Sequence, residues 1–293
     1  MSLKGASALK LLNKHEIRIL VAIEVGMKTS QFIDIETIAK YSGYNQGKIE
    51  HWLKNCHKLN LVHRWSGHFT GYELTIHGYD LLALNALYEK GVIKSIGRER
   101  GVGKESRIFY ALNNNDQEVL LKLHRVGFTS FHQVKKKRRY TANKHHISEL
   151  YSSRLSAESE VKWLKIANEM NLPVPTYFDY NRHIIVMELI EGIDLVKVKN
   201  LDEPVEILEN IVLFIKNAWS KANFVHGDLS EYNILLKSEN LHPIIIDFPQ
   251  SVDRSEKNAN ELLMRDIKNI ISFFDRKYKL NTDINEIYNY VTN

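Results

Sequence analysis

Hydrophobic and polar positions change their rhythm once along the chain. In the first stretch, Ile17, Ile19, Leu20, Val21 and Ala22 fall in an apolar helical pattern. Asp34 stands as an N-cap before Ile35, Ile38 and Ala39, which predicts a second helix. Asn45 opens a third, carrying Ile49, Trp52, Leu53 and Cys56. Residues 61–65 and 72–76 read as short strands around Ser66-Gly67-His68-Phe69-Thr70-Gly71, and residues 78–90 close the stretch with Leu81, Leu82, Leu84 and Leu87 on a helix. Three helices, a hairpin and a helix is the order of a winged helix.

From residues 91–95 onward, strands come first and helices last. Residues 93–96, 107–112 and 118–123 predict consecutive strands, and residues 148–170 a helix striped by Val161, Leu164 and Ala167. Residues 184–189 predict a buried strand, and residues 206–223 a helix whose face runs Leu208, Ile211, Val212, Ile215, Trp219 and Ala222. Two short strands, 234–236 and 244–246, precede helices near 262–274 and 284–291.

Composition narrows the setting. With 44% hydrophobic residues there is apolar material for two cores without a structural metal. One cysteine, Cys56, excludes an internal disulfide and leaves no zinc spacing, so a reducing cytoplasm is expected. The apolar runs are short or broken by charge, and neither a leader nor a membrane span is expected. The net charge of +5 suits an anionic partner. Lys135, Lys136, Lys137, Arg138 and Arg139 concentrate that charge within a long aperiodic segment, 128–146, expected to be a flexible basic loop. Lys48, Lys54 and Lys58 on the third helix, with Gln46, are further candidates for nucleic-acid contact.

The chemistry is concentrated in His226-Gly227-Asp228-Leu229-Ser230-Glu231-Tyr232-Asn233 and Ile244-Ile245-Ile246-Asp247-Phe248. Phosphoryl transfer from ATP needs a carboxylate to orient the acceptor and oxygen ligands to hold Mg²⁺. Asp228 lies in a loop between a helix and a strand, with Asn233 five residues on, and Asp247 ends an apolar strand. Asp228 is therefore the candidate base, and Asn233 and Asp247 the metal ligands. Gly101 and Gly103 allow close backbone approach to phosphates, with Lys104, Glu105 and Ser106 completing that turn. Lys122 interrupts an apolar strand and pairs in this reading with Glu160; Glu188 and Ile190 form the hinge that meets adenine. The fold class is then α+β: a winged-helix domain over 1–92 and a two-lobed protein-kinase-like domain over 93–293. The first lobe is 93–187, the hinge about 188–192 and the second lobe 193–293.

These motifs, with Gly101-Val102-Gly103-Lys104-Glu105-Ser106, Leu123-His124-Arg125-Val126-Gly127-Phe128-Thr129-Ser130-Phe131 and Ile246-Asp247-Phe248-Pro249-Gln250, resemble the RIO-type atypical serine/threonine kinases of the type-2 subfamily. The resemblance implies ATP with magnesium, manganese as a substitute, autophosphorylation on serine, and work on the pre-ribosomal small-subunit particle and its RNA. It also implies that Asp247 can carry a transient phosphoryl group. With 46 residues after Asp247 in this sequence, a domain lacking a full activation segment and peptide-binding helices is expected. Pro249 fixes a backbone angle where ordinary kinases have glycine. A small-molecule phosphotransferase of the aminoglycoside or choline kinase kind, and a nucleic-acid-binding regulator with a nucleotide-sensing domain, remain the alternative readings of the same residues.

Overall fold

The computed structural model describes residues 4–125 and 149–293. The basic segment 128–146, including Lys135 to Arg139, lies outside the described residues. The chain divides into two compact units, Met1–Ser156 with Asp179–Val186, and Ala157–Phe178 with Met187–Asn293.

The first unit opens with helices α1 (Lys4–Leu9) and α2 (Lys14–Gly26). Asn13 and Glu16 form a reciprocal capping box at the start of α2. After β1 (Ile33–Asp34), Asp34 accepts the Thr37 amide and caps α3 (Ile35–Ser42), as its position in the sequence predicts. Asn45 accepts the Lys48 amide and caps α4 (Gln46–Lys58). The hairpin is β2 (Val62–Ser66) against β3 (Thr70–Leu74), and β1 adds to the far side of β3. Helix α5 (Ile76–Glu89) closes this winged helix, capped by Thr75.

Strands β4 (Ser95–Val102), β5 (Ser106–Leu112), β6 (Glu118–His124), β7 (Tyr177–Asn181) and β8 (Ile184–Glu188) form one sheet in the order β4-β5-β6-β8-β7. The sequence places the end of β4 at residue 96, whereas the strand runs on to Val102. Register shifts between Ile96 and Gly101 keep it paired to β5, and such bulges hide the strict alternation by which a strand is read. The ion pair from Arg107 to Glu99, at 2.7 Å, ties the two strands across the irregular stretch.

Helix α5 serves both cores of this unit. Tyr79, Leu81 and Leu82 belong to the winged-helix core with Ile19, Ile23 and Leu53. Ala83, Leu84 and Leu87 belong to the core beneath the sheet, with Phe109, Leu121 and Val186. A helix apolar all round must be buried all round, and each leucine so buried contributes roughly 1.5–3 kcal/mol. Asp80, on the same helix, accepts Arg125 at 2.6 Å and His183 at 2.8 Å. Burial works against the Asp80 charge, but the His183 hydrogen bond and the Arg125 charge outweigh it and hold the carboxyl below its ordinary value. Burial pushes the His183 imidazole down to about 4, so it is neutral and donates through Nε2. Arg182 adds a two-pronged contact to Glu24 of α2 at 2.8 and 2.5 Å.

Helix α6 (Glu149–Glu169) begins in the first unit and continues into the second. The second unit then contains β9 (Gly192–Asp194), α7 (Pro204–Ser220), β10 (Phe224–Val225), β11 (Ile234–Lys237), β12 (Pro243–Ile245) and β13 (Val252–Asp253). It ends in α8 (Ala259–Tyr278) and α9 (Ile284–Thr292). Pro204 starts α7 at a position where its missing amide is not needed. Strand β11 lies between β12 and β9, and β10 pairs with β13. Among the described residues no helix is long and apolar enough to cross a membrane.

Candidate active site

The loop between β10 and β11 is shaped by helix α8. Gly227 takes φ of 76°, and a Cβ there would lie 2.7 Å from the Gln250 carbonyl, so glycine is required. Its amide donates to Asp266 Oδ2 at 2.7 Å, and the Leu229 amide donates to Asp266 Oδ1 at 3.0 Å. Asn269 donates to the Leu229 carbonyl at 3.1 Å, and the Arg265 guanidinium donates to the Gly227 carbonyl. Asp228 is thus held between two anchored residues, with its own side chain exposed. Leu229 is fully buried and fastens the loop to the core.

Burial pushes the Asp266 carboxyl up to about 7, against the two amides and Arg265 that favour its charge. His226, also buried, donates from Nε2 to the Ile246 carbonyl at 3.1 Å. With Nε2 donating, Nδ1 accepts the Asp228 amide at 3.4 Å. Ser251 Oγ donates to the His226 carbonyl at 3.0 Å, securing the histidine from the other side.

Asn233 joins this loop to Asp247. Its Nδ2 donates to the Asp228 carbonyl at 2.8 Å, and its own carbonyl accepts the Ile246 amide at 3.0 Å. A carbonyl partner demands a donor, so the nitrogen is the atom bonded and Oδ1 remains as a ligand oxygen. Asp247 follows with φ of 74°, a left-handed conformation that is strained for a residue other than glycine. Phe248 is fully buried beside Phe224 and His226, and Ser159 of α6 donates to the Pro249 carbonyl at 3.1 Å. The turn after Asp247 is therefore anchored by both its neighbours. A neutral amide oxygen and a carboxylate are hard oxygen donors, the set that magnesium takes.

Asp228, Asn233 and Asp247 are brought together within the second unit, which also holds Glu160, Glu188 and Ile190. Glu160 is buried on α6. The Glu188 amide donates to the Thr176 carbonyl at 2.8 Å, and its carboxylate accepts the Thr176 amide and hydroxyl at 2.9 and 2.8 Å. The first unit holds the turn from Gly101 to Ser106 and Lys122. Gly103 donates to the Ser106 carbonyl at 2.8 Å, closing the turn that presents Lys104 and Glu105. Lys122 sits opposite Ile108 on β6 and is 7% exposed. Lys48, Lys54 and Lys58 are exposed on α4.

Arg265, Asp266 and Asn269 escape a motif-based reading. Their signal is nonetheless present, because Asp266 interrupts the apolar stripe of Leu263, Ile267, Ile270 and Phe274 on a helix. A carboxylate on a buried face needs partners, and here they are the backbone amides of Gly227 and Leu229.

Two family models match the chain: the RIO domain over residues 107–287 and the Rio2 N-terminal domain over residues 9–90. The chain belongs to the RIO family, on its Rio2 branch. It is 38% identical to serine/threonine-protein kinase rio2 of Dictyostelium discoideum, over 92% of this chain and 52% of that protein. It is 36% identical to the RIO-type serine/threonine-protein kinase Rio2 of Methanocaldococcus jannaschii, over 91% of this chain and 100% of that protein. The chain thus spans about half the length of the Dictyostelium relative and the whole of the archaeal one. The crystal structure of the Rio2 kinase–ADP/Mg²⁺–phosphoaspartate complex from Chaetomium thermophilum is similar, with a TM-score of 0.82 and 30% identity. That likeness covers 97% of this chain and 88% of the other. The winged-helix and kinase-like expectations drawn from the sequence agree with these matches.

Proposed function

We propose that this chain is a magnesium-dependent ATP phosphotransferase that works as a serine/threonine kinase-like ATPase. The carrying observation is the bonded path from the Asp228 carbonyl through Asn233 to Ile246, next to Asp247. Asn233 Oδ1 and the Asp247 carboxylate would hold magnesium, which offsets negative charge on the phosphates. Gly101, Gly103, Lys104, Glu105 and Ser106 would cradle the triphosphate, and Lys122 with Glu160 would orient it. Adenine would meet the hinge at Glu188 and Ile190, where the Glu188 amide is itself taken by the Thr176 carbonyl.

In this reading Asp247 is also the phosphoryl acceptor. A carboxylate oxygen attacks the γ-phosphorus, the bond to the bridging oxygen breaks, and ADP leaves with that electron pair. Water, oriented by Asp228, then cleaves the acyl phosphate to inorganic phosphate and restores the carboxylate. The phosphoaspartate named for the Chaetomium protein supports this use of the residue. Rapidly quenched enzyme labelled from γ-labelled ATP should lose label to hydroxylamine, and Asp247→Asn should carry no labile fraction. Label wholly resistant to hydroxylamine in the wild type would restrict Asp247 to metal binding and leave transfer to a hydroxyl.

The partner proposed is the pre-ribosomal small-subunit particle and its RNA, in the cytoplasm. Support comes from the family resemblance, the basic run Lys135 to Arg139, and the exposed lysines of α4.

A further inference from the structure

Away from the catalytic loop, helices α7 and α9 enclose an open groove of about 640 Å³. Its apolar lining includes Val205, Leu208, Val212, Leu213, Ile287 and Tyr290. Three of these are conspicuously uncovered: Val205 is 53% exposed, Leu213 46% and Tyr290 48%. Exposed aliphatic side chains scattered singly need no explanation, but a contiguous strip between two helices does.

The charged side chains that line this strip are acidic. Glu209 and Glu286 line the groove directly, and no lysine or arginine does among the described residues. Asp202, Glu203 and Glu206 lie at the start of α7, and Asp283 caps α9, all four exposed or at the surface. The hydrogen bond and charge of Glu206 raise the Glu203 carboxyl above its ordinary value, as crowded carboxylates do. At the other end, Lys216 lies 3.9 Å from the Tyr290 ring centroid. This acidity is local, since the chain as a whole carries +5.

We propose that the α7–α9 groove docks a basic amphipathic helix of a partner protein. Its apolar face would lie on Val205, Leu208, Leu213 and Tyr290, and lysines or arginines at its edges would meet Glu209 and Glu286. An apolar stripe at helical spacing fits a groove bounded by two helices. RNA is repelled by the same carboxylates, so this face complements a protein rather than the polyanion sought elsewhere on the chain. A small neutral ligand would leave the acidic rim unmatched.

The test uses the whole chain and two fluorescein-labelled fifteen-residue peptides, followed by anisotropy. Both carry leucine at helical spacing; one is edged with lysine and arginine, the other with glutamate. The basic peptide should bind saturably, and the acidic one should not. Leu213→Asp should weaken the basic peptide at least ~10-fold, as for a central apolar anchor. Glu209→Lys with Glu286→Lys should weaken it similarly and confer binding of the acidic peptide. Both variants change exposed side chains, and an unaltered melting temperature shows that they fold. Three results would each overturn the proposal: no saturable binding of the basic peptide, equal binding by Leu213→Asp, or sedimentation showing the groove occupied by a second copy of the chain.

Discussion

Asn233 Nδ2 donates to the carbonyl of Asp228 across 2.8 Å, so the proposed metal ligand also braces the proposed base. One side chain thereby sets two distances at once. Asn233→Ala should lower ATP turnover by at least ~100-fold, since even indirect partners of a metal ligand matter by about 10–100-fold. The magnesium concentration for half-maximal rate should rise with it. Stability should fall by only about 1 kcal/mol, the usual net worth of one hydrogen bond. An unchanged magnesium dependence would remove Asn233 from the metal.

Asp266 gives a pH signature. Its folded pKa, about 7, lies above the ordinary 3.8, so the folded chain holds a proton between those values that the unfolded chain has lost. The resulting stabilisation is complete below about pH 3.8 and disappears as pH rises through about 7. Chemical denaturation from pH 5 to 8 should therefore show wild type losing stability relative to Asp266→Asn as pH rises. At pH 8 the variant should itself be destabilised by about 1–3 kcal/mol, because its amide nitrogen faces a backbone donor. A pH-independent difference between the two proteins would contradict the raised pKa.

Asp80 should be costly to neutralise. Asp80→Asn leaves Arg125 and His183 with a weakened buried partner, and breaking such a pair typically costs about 3–5 kcal/mol. The urea midpoint should fall accordingly. Removing the charge of Arg125 as well, in Asp80→Asn with Arg125→Met, should recover part of the loss. A change below about 1 kcal/mol would mean the buried cluster contributes little.

The proposed RNA contact predicts a salt effect in two places. Lys48, Lys54 and Lys58 changed to glutamine should weaken RNA binding and flatten its salt dependence, by roughly 0.7–0.9 in logarithmic slope per lost phosphate contact. Neutralising Lys135 through Arg139 should act likewise. ATP affinity should barely move. An unchanged slope in both variants would leave these cations as solvated surface.

What the sequence makes legible is local. Asp34 and Asn45 cap the helices they precede because a short acceptor side chain followed by an apolar stripe has few other uses. The spacing of Asp228, Asn233 and Asp247 is readable for the same reason, since chain neighbours stay spatial neighbours. Strand β7 and helix α1 are missed because neither carries a long periodic pattern. The anchoring of Gly227 and Leu229 by Asp266 spans nearly forty positions, a pairing no local pattern encodes. The strain at Asp247 is likewise a property of the assembled turn and not of its residues.

Helix α5 has a practical consequence for anyone who would separate the winged helix from the rest. It is a party wall, with Leu82 facing one room and Leu84 and Leu87 the other. A fragment starting at residue 93 would strip the lining from beneath Phe109 and Leu121 and present that bare surface to water. It should collapse or aggregate where the intact first unit melts as one. The residue at which two activities divide on paper is, in this chain, a poor place to cut.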